Sequence, residues 1–364
     1  MTPDEAYKDL MEKMRYPNSA RFRALLENLM TPEQAQMTAC LPGTVQEVAE
    51  KLGFNVDMVQ KGLDELFVKG VTVPKGDYIT REFFNFARSV QQLHDRTQAS
   101  KLRDVEKDKD FYSLWHDFVM NEYYPDAGKR YAMMPRPIQR IIPAYNSIKD
   151  LPDVLPYENY HELLKMQDLI AVVPCSCRHR TTSVEEHCAH ACEEDRQNCI
   201  LFARSADYNL KRGSGTQLTV EEAIELCDQM EKDGLLHMWG NSKSMEGTTS
   251  CNCCRDCCMI SLPMQLVGAP IGKVWEKSRY IAIVDQDMCI GCQECIEHCQ
   301  FDAIEMVKPA VAGDGKKSKK MKAQIIEENC FGCGACVVNC DETHALSMKC
   351  IRPPEHIPNP MPRP

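Results

Sequence analysis

The spacing of apolar positions changes character along this chain. Between 44 and 70, TVQEVAEKLGF and NVDMVQKGLDELFVKG carry apolar residues at intervals of three and four, the period of helices with one buried face. Thr44 with Glu47 forms a capping box and Gly53 a stop, while Asn55 and Gly70 bound the second helix. VTVPKGDYIT, 71–80, then reads as a short hairpin. Thr219 to Gly234 predicts another helix, opened by a Thr219/Glu222 box, with Val220, Ile224, Cys227 and Met230 on one apolar face, so Cys227 is expected in the core. From 278 onward the pattern shortens to strands: Tyr280–Val284 and Ala323–Ile326, with Ala303–Glu305 and Ala345–Ser347 as return strands. Prolines 125, 135, 137, 143, 152 and 156 predict an extended connector over 122–160, and RPPEHIPNPMPRP an extended tail that is mobile or docks on a partner. The longest apolar run, around Leu169 to Pro174, is far too short for a bilayer, and the polar opening MTPDEAYKDL lacks a leader pattern, so a cytoplasmic address is expected.

Composition changes the picture at one point. The 364 residues include 43% hydrophobic and 26% charged residues, enough for two or three ordinary cores, yet 21 are cysteine. A core-forming chain of this length in a reducing compartment has no need of disulfides, so the cysteines point to metal. The net charge of -10 argues against nucleic acid as the main partner.

CIGCQECIEHC at 289–299 and CFGCGACVVNC at 330–340 repeat the spacing C-x2-C-x2-C-x3-C. In that pattern three cysteines of a run wrap one 4Fe-4S cube and the fourth reaches the other. One ligand set is then Cys289, Cys292, Cys295 and Cys340, the other Cys330, Cys333, Cys336 and Cys299. Residues 278–352 resemble a bacterial two-cluster ferredoxin domain, whose hairpins pair where the short strands lie. The family's usual proline after each fourth cysteine is replaced here by Gln300 and Asp341. The lysine-rich AGDGKKSKKMK, 312–322, reads either as a solvated loop or as a steering surface for an acidic redox partner. Cys40 and Cys350 are expected to be structural.

The middle of the chain holds PCSCR, HCAHACEEDRQNC and CNCCRDCC: ten cysteines, too many for one tetrahedral site. These segments resemble those of anaerobic multi-cluster iron-sulfur proteins. Two further 4Fe-4S clusters are expected, drawing on Cys175, Cys177, Cys192, Cys199, Cys251, Cys253, Cys254 and Cys257, with Cys188 and Cys258 undecided. A single extra cluster, a larger non-cubane cluster and zinc remain alternatives. His179, His187 and His190 stand close enough in sequence to replace a thiolate, as imidazole does in Rieske centres, or only to hydrogen-bond nearby.

The fold class expected is α+β and multidomain: a winged-helix-like N-terminal domain (1–121), the connector, a cysteine-rich α/β domain (161–277), the ferredoxin-like domain (278–352) and the tail (353–364). Helix, turn, helix, hairpin over about 20–85 resembles a winged helix, but residues 44–80 carry four lysines, no arginine and six acidic groups, a poor surface for a duplex. A protein-contact role is expected, with no nucleic acid and no membrane span. No G-x-G-x-x-G follows a strand, so no nucleotide fold is read. The function expected is an electron-transfer protein relaying single electrons from a low-potential donor to a redox partner protein, such as a flavoprotein or other oxidoreductase. The alternatives are a reductase whose central cluster binds substrate and a redox-sensing winged-helix regulator.

Overall fold

The computed structural model describes residues 1–76, 78–98, 103–104, 106–184, 197–308 and 320–361. Three helices open the chain, α1 (Pro3–Lys13), α2 (Ala20–Leu29) and α3 (Pro32–Ala39), each started by a side-chain cap at Thr2, Ser19 or Thr31. β1 (Gly43–Thr44) leads into α4 (Val45–Leu52), where the Thr44/Glu47 box forms and Gly53 turns left-handed at φ 68°. α5 (Val56–Lys69) starts where the Asn55 side chain accepts from the Asp57 and Met58 amides and stops at left-handed Gly70. β2 (Thr72–Pro74) and β3 (Phe83–Phe86) complete a small antiparallel sheet in the order β1-β3-β2. The hairpin thus has its first strand where 71–80 was read, but its return lies at 83–86. There Phe84 and Phe86 alternate inward to seal the core, which the turn residues up to Thr80 cannot do.

α6 (Val90–Gln98) precedes α7 (Lys109–Phe118), which continues through a π-helical turn at 119–123 into α8 (Tyr124–Ala132). The connector expected over 122–160 is therefore not extended. Pro125 sits inside this continuous helix, directly after the π-helical turn, whose wider winding accommodates a residue without an N–H. β4 (Gln139–Ile142) joins the central sheet, and α9 (Tyr145–Ile148) and a 3-10 turn at Pro156–Glu158 follow.

The central sheet adds β5 (Ile170–Pro174), β6 (Gln197–Phe202), β7 (Thr216–Leu218), β8 (Leu236–Gly240), β9 (Thr249–Cys253) and β10 (Trp275–Glu276), in the order β10-β4-β8-β9-β6-β5-β7. Every neighbour is antiparallel except β10 with β4. Its helices are α10 (Tyr160–Lys165), α11 (Ser176–Thr182), α12 (Ala203–Lys211), α13 (Val220–Lys232) and α14 (Ser261–Leu266). Because strand side chains alternate, Val172, Ile200 and Phe202 face one way and join Tyr160, Leu163 and buried Cys227 in one cluster. Val173, Cys199 and Leu201 face the other way, beside Ala206 of α12.

At the C-terminus β11 (Tyr280–Val284) pairs with β14 (Leu346–Cys350), and β12 (Ile304–Val307) with β13 (Lys322–Ile325), both antiparallel. α15 (Glu294–Glu297) and α16 (Ala335–Val338) lie between them in sequence. This region is bound to the central sheet by the buried Arg279–Glu158 ion pair at 2.8 Å and by the Ala144 amide donating to the Cys333 carbonyl at 2.8 Å. The tail does not project: the Lys243 amide donates to Pro358 at 2.8 Å and Ile357 is buried. Cys40 caps the end of α3, half-buried, and Cys350 is exposed, with Arg279 donating to its sulfur at 3.2 Å. Among the described residues no helix is long and apolar enough to cross a membrane.

Candidate metal centres

Each C-terminal cysteine run leaves a strand, turns sharply and enters a one-turn helix. Left-handed backbone makes the turn at Gly291 (φ 74°) and Gly332 (φ 67°), where a Cβ would collide with the carbonyl oxygens of Met321 and Tyr280. Two positions on, the runs differ. Gly334 (φ 79°) leaves no room because Ser147 of the central region presses against it, whereas the corresponding Gln293 (φ 77°) is exposed and bears the same strain with a side chain.

Two cavities result. One, with about 360 Å³ of atom-free space, is lined by Cys289, Cys292 and Cys295 of the first run and Cys340 of the second. The other, about 330 Å³, is lined by Cys330, Cys333 and Cys336 of the second run and Cys299 of the first. The two linings are the two sets named from the spacing. Both suit a compact inorganic body held by thiolates. Burial pushes the Cys295 thiol up to about 11, the Cys333 thiol up to about 12 and that of Cys336 well above its ordinary range. A bare thiolate is disfavoured in such a site, and a bound metal's positive charge reverses that preference. The Ala303 amide donates to Cys299 Sγ at 3.3 Å, the kind of contact that sets a cluster's potential.

The central cysteines are assembled differently. Cys199 of β6 and Cys251 of β9 are register partners, Cys253 stands two residues along β9 on the same face, and Cys175 follows β5 directly as the N-cap of α11. With Cys177 they form a hydrogen-bonded row in the order Cys177, Cys175, Cys253, Cys251, Cys199. Cys175 accepts from Cys177 and Cys251 from Cys199, and the single S–H of Cys253 stands between the two; these contacts hold both thiols well below the usual range. The donors Cys177, Cys199 and Cys253 are pushed up by the same bonds. Gln139 Nε2 lies 3.7 Å from Cys251 Sγ as a further donor. The row and Cys258, whose thiol burial raises to about 12, open onto a single large chamber of about 980 Å³.

CNCCRDCC therefore splits. Cys251, Cys253 and Cys258 border the chamber, while Cys254 and Cys257 are buried beside Met230 and Leu235, sulfurs 3.6 Å apart. Cys192 lies outside the described residues, as do Cys188, His187 and His190, and most of the lysine-rich loop. His179 is buried on α11 and is not among the chamber's lining residues. A single zinc ion asks for donors converging on one point. Among the described residues no group of three or more His, Cys, Asp or Glu side chains is so arranged.

Three kinds of residue here escape sequence reasoning. Arg178 and Arg180 of α11 are fully buried beside the thiols, Arg178 favouring the Cys175 thiolate by its charge and Arg180 donating to Tyr124 Oη at 2.9 Å and His116 Nδ1 at 3.0 Å. Their only signal was a pair of arginines in CRHR after a buried strand. Gln300 is the second case. Fully buried, it accepts from the Arg255 amide at 2.9 Å and donates to the Gly234 carbonyl, tying the residue after Cys299 to the loop between Cys254 and Cys257. A proline has no side chain for either bond, which accounts for that departure; Asp341 is exposed and makes no comparable contact among the described residues. The third case is the N-terminal wall of the chamber, including Tyr78, Arg96 and Phe86, far away in sequence.

Residues 288–343 match the family model of the 4Fe-4S dicluster domain. No curated protein and no solved structure matches the chain.

Proposed function

We propose that this chain is a multi-cluster iron-sulfur electron-transfer protein. The C-terminal region has a 4Fe-4S dicluster domain, in keeping with iron-sulfur electron transfer. The finer reading is that Cys289, Cys292, Cys295 and Cys340 hold one cube, that Cys299, Cys330, Cys333 and Cys336 hold the other, and that the central thiols hold at least one further centre. The observation that carries it is the crossed lining: each cavity takes three cysteines from one run and the fourth from the other. When bound, such clusters exchange single electrons.

The protein's own part is to place and insulate. The thiols bind, the apolar walls exclude water, and backbone amides such as that of Ala303 donate to sulfur. A route between regions is supported by Gln300, which joins the end of the first cysteine run to the Cys254–Cys257 loop through one hydrogen bond. Electrons then pass between a low-potential donor and a partner oxidoreductase such as a flavoprotein. The N-terminal helices and hairpin, arranged in the order of a winged helix, serve protein contact. The outer face of α5 has a groove in which Asp57, Asp64 and Glu65 outnumber Lys61 and Lys69, a surface that repels phosphate.

Anaerobic iron and sulfide quantitation with EPR of the reduced full-length protein tests the reading. About twelve irons per chain are expected for one central cube, and about sixteen if Cys188 and Cys192 complete a second with Cys254 and Cys257, at four irons per cube. Eight irons would confine the clusters to the C-terminal region, and fewer than eight would overturn the assignment there.

A further inference from the structure

The chamber facing the thiol row has a volume of about 980 Å³, within the range of sites for small organic molecules. Measured the same way, the two C-terminal cavities hold about 20 Å³ each. With iron on the thiol row or without it, most of the chamber remains free.

Its lining also carries another chemistry. Lys75, Arg88, Arg96 and Arg204 border it, against one carboxylate, Asp95, in a chain of net charge -10. Asp95 is already engaged by His94 at 3.0 Å and by the Ser176 hydroxyl at 3.2 Å. Two of the cations are mounted on rings. Tyr78 and Tyr208 meet edge to face at 5.7 Å, the Arg204 guanidinium lies 5.4 Å from the Tyr78 centroid, and that of Arg96 lies 5.3 Å from the Tyr208 centroid. Arg204 Nε donates to Tyr78 Oη at 2.9 Å and its Nη2 to the Pro74 carbonyl at 3.4 Å, which fixes the guanidinium in place. A guanidinium held beside a ring in this way is positioned in advance to donate its remaining N–H groups to a carboxylate or phosphate, and loses little freedom in doing so. Phe83, Phe86 and Ile260 add apolar surface to the same space.

We propose that the chamber is a binding site for a small organic anion, a carboxylate or phosphate ester with an apolar body. Its charge is held by Arg96 and Arg204, with Arg88 and Lys75 at the rim. Its body lies along the aromatic side chains toward the thiol floor. The site rests on the chamber's own walls and does not require the central thiols to carry iron.

The test uses the iron-loaded full-length protein and saturation-transfer NMR. Benzoate and phenyl phosphate are the anionic probes, benzylamine and benzyl alcohol the controls of charge. Saturable binding of both anions and none of benzylamine is expected. The double variant Arg96→Gln/Arg204→Gln should weaken anion binding by about tenfold or more, the loss expected for charge-assisted hydrogen bonds, while Lys61→Gln on the outer face of α5 should leave it unchanged. Thermal unfolding and the EPR of the C-terminal clusters report whether the double variant folds; if it does not, the exposed rim variant Arg88→Gln should still weaken binding several-fold. Failure of both anions to bind, equal binding of benzylamine, or unchanged affinity in the folded arginine variants overturns the proposal. A shift in the central centre's EPR with unaltered anion binding also overturns it, because the arginines would then serve only the thiols' charge.

Discussion

The C-terminal cavities and the central chamber both gather cysteines, yet they do so by opposite means. In the first, three cysteines stand within seven residues and a turn of backbone brings them round one small cavity, closed by a fourth from the partner run. In the second, Cys199 and Cys251 lie on neighbouring strands and Cys175 directly follows a third, and only the register of β5, β6 and β9 makes them neighbours. The first arrangement leaves no space beside the thiols. The second sets a row of thiols along the floor of an open chamber whose other wall belongs to a distant region. Closed pockets suit a wire, and an open one suits a centre that meets something else.

The largest effect should follow from breaking the crossed pockets. Cys340→Ala should remove the cluster of Cys289, Cys292 and Cys295, about four irons, and leave the other C-terminal signal in the EPR of the reduced protein. Loss of the Cys330, Cys333 and Cys336 cluster instead would reverse the assignment. In the central region Cys251→Ser, at a point of the row flanked by Cys199 and Cys253, should abolish the chamber's centre, whereas Cys254→Ser should leave that signal in place because its sulfur lies apart beside Cys257. Equal loss in both variants would show that the two thiol groups act as one.

Smaller effects sharpen the way the two regions are held together. Glu231, almost fully buried, accepts from the Tyr145 and Asn146 amides of α9, beside the loop where Ala144 meets Cys333. Burial alone would raise its carboxyl, but His237, its Nε2 3.4 Å away, and these backbone amides outweigh it, leaving the group below the ordinary 4.5. Its stabilisation is thus full above the unfolded value and lost as pH falls through the lower folded one. Glu231→Gln should destabilise by about 2 kcal/mol near neutrality, with parent and variant converging in acid; a constant gap down to the acid transition in thermal unfolding would show that the charge plays no part. Gln300→Pro should cost about 1 to 2 kcal/mol for its two bonds and slow electron exchange between the regions, read by freeze-quench EPR. An unchanged rate would mean that electrons do not pass by way of the Arg255 loop.

What the sequence settled by itself is what closes within a few residues. The Thr44/Glu47 and Thr219/Glu222 boxes, the Asn55 cap and the stops at Gly53 and Gly70 all form, because a cap's donor and acceptor stand at most three or four positions apart. The spacing of the two cysteine runs named the same groups that line the two C-terminal cavities, since two intervening residues leave the backbone few ways to turn. Tertiary structure decided the rest. Proline density at 122–160 suggested extension, but a π-helical turn lets the helix run on through Pro125 and β4 found a sheet to join. The division of CNCCRDCC followed from alternation along β9, which gives Cys251 and Cys253 one face and then ends, so that Cys254 and Cys257 turn elsewhere. Which thiols meet, and which arginines share a chamber with them, depends on register between strands some fifty residues apart and on the docking of a separate region. No local rule encodes that, because the energy of such contacts is gained only when the whole sheet has closed.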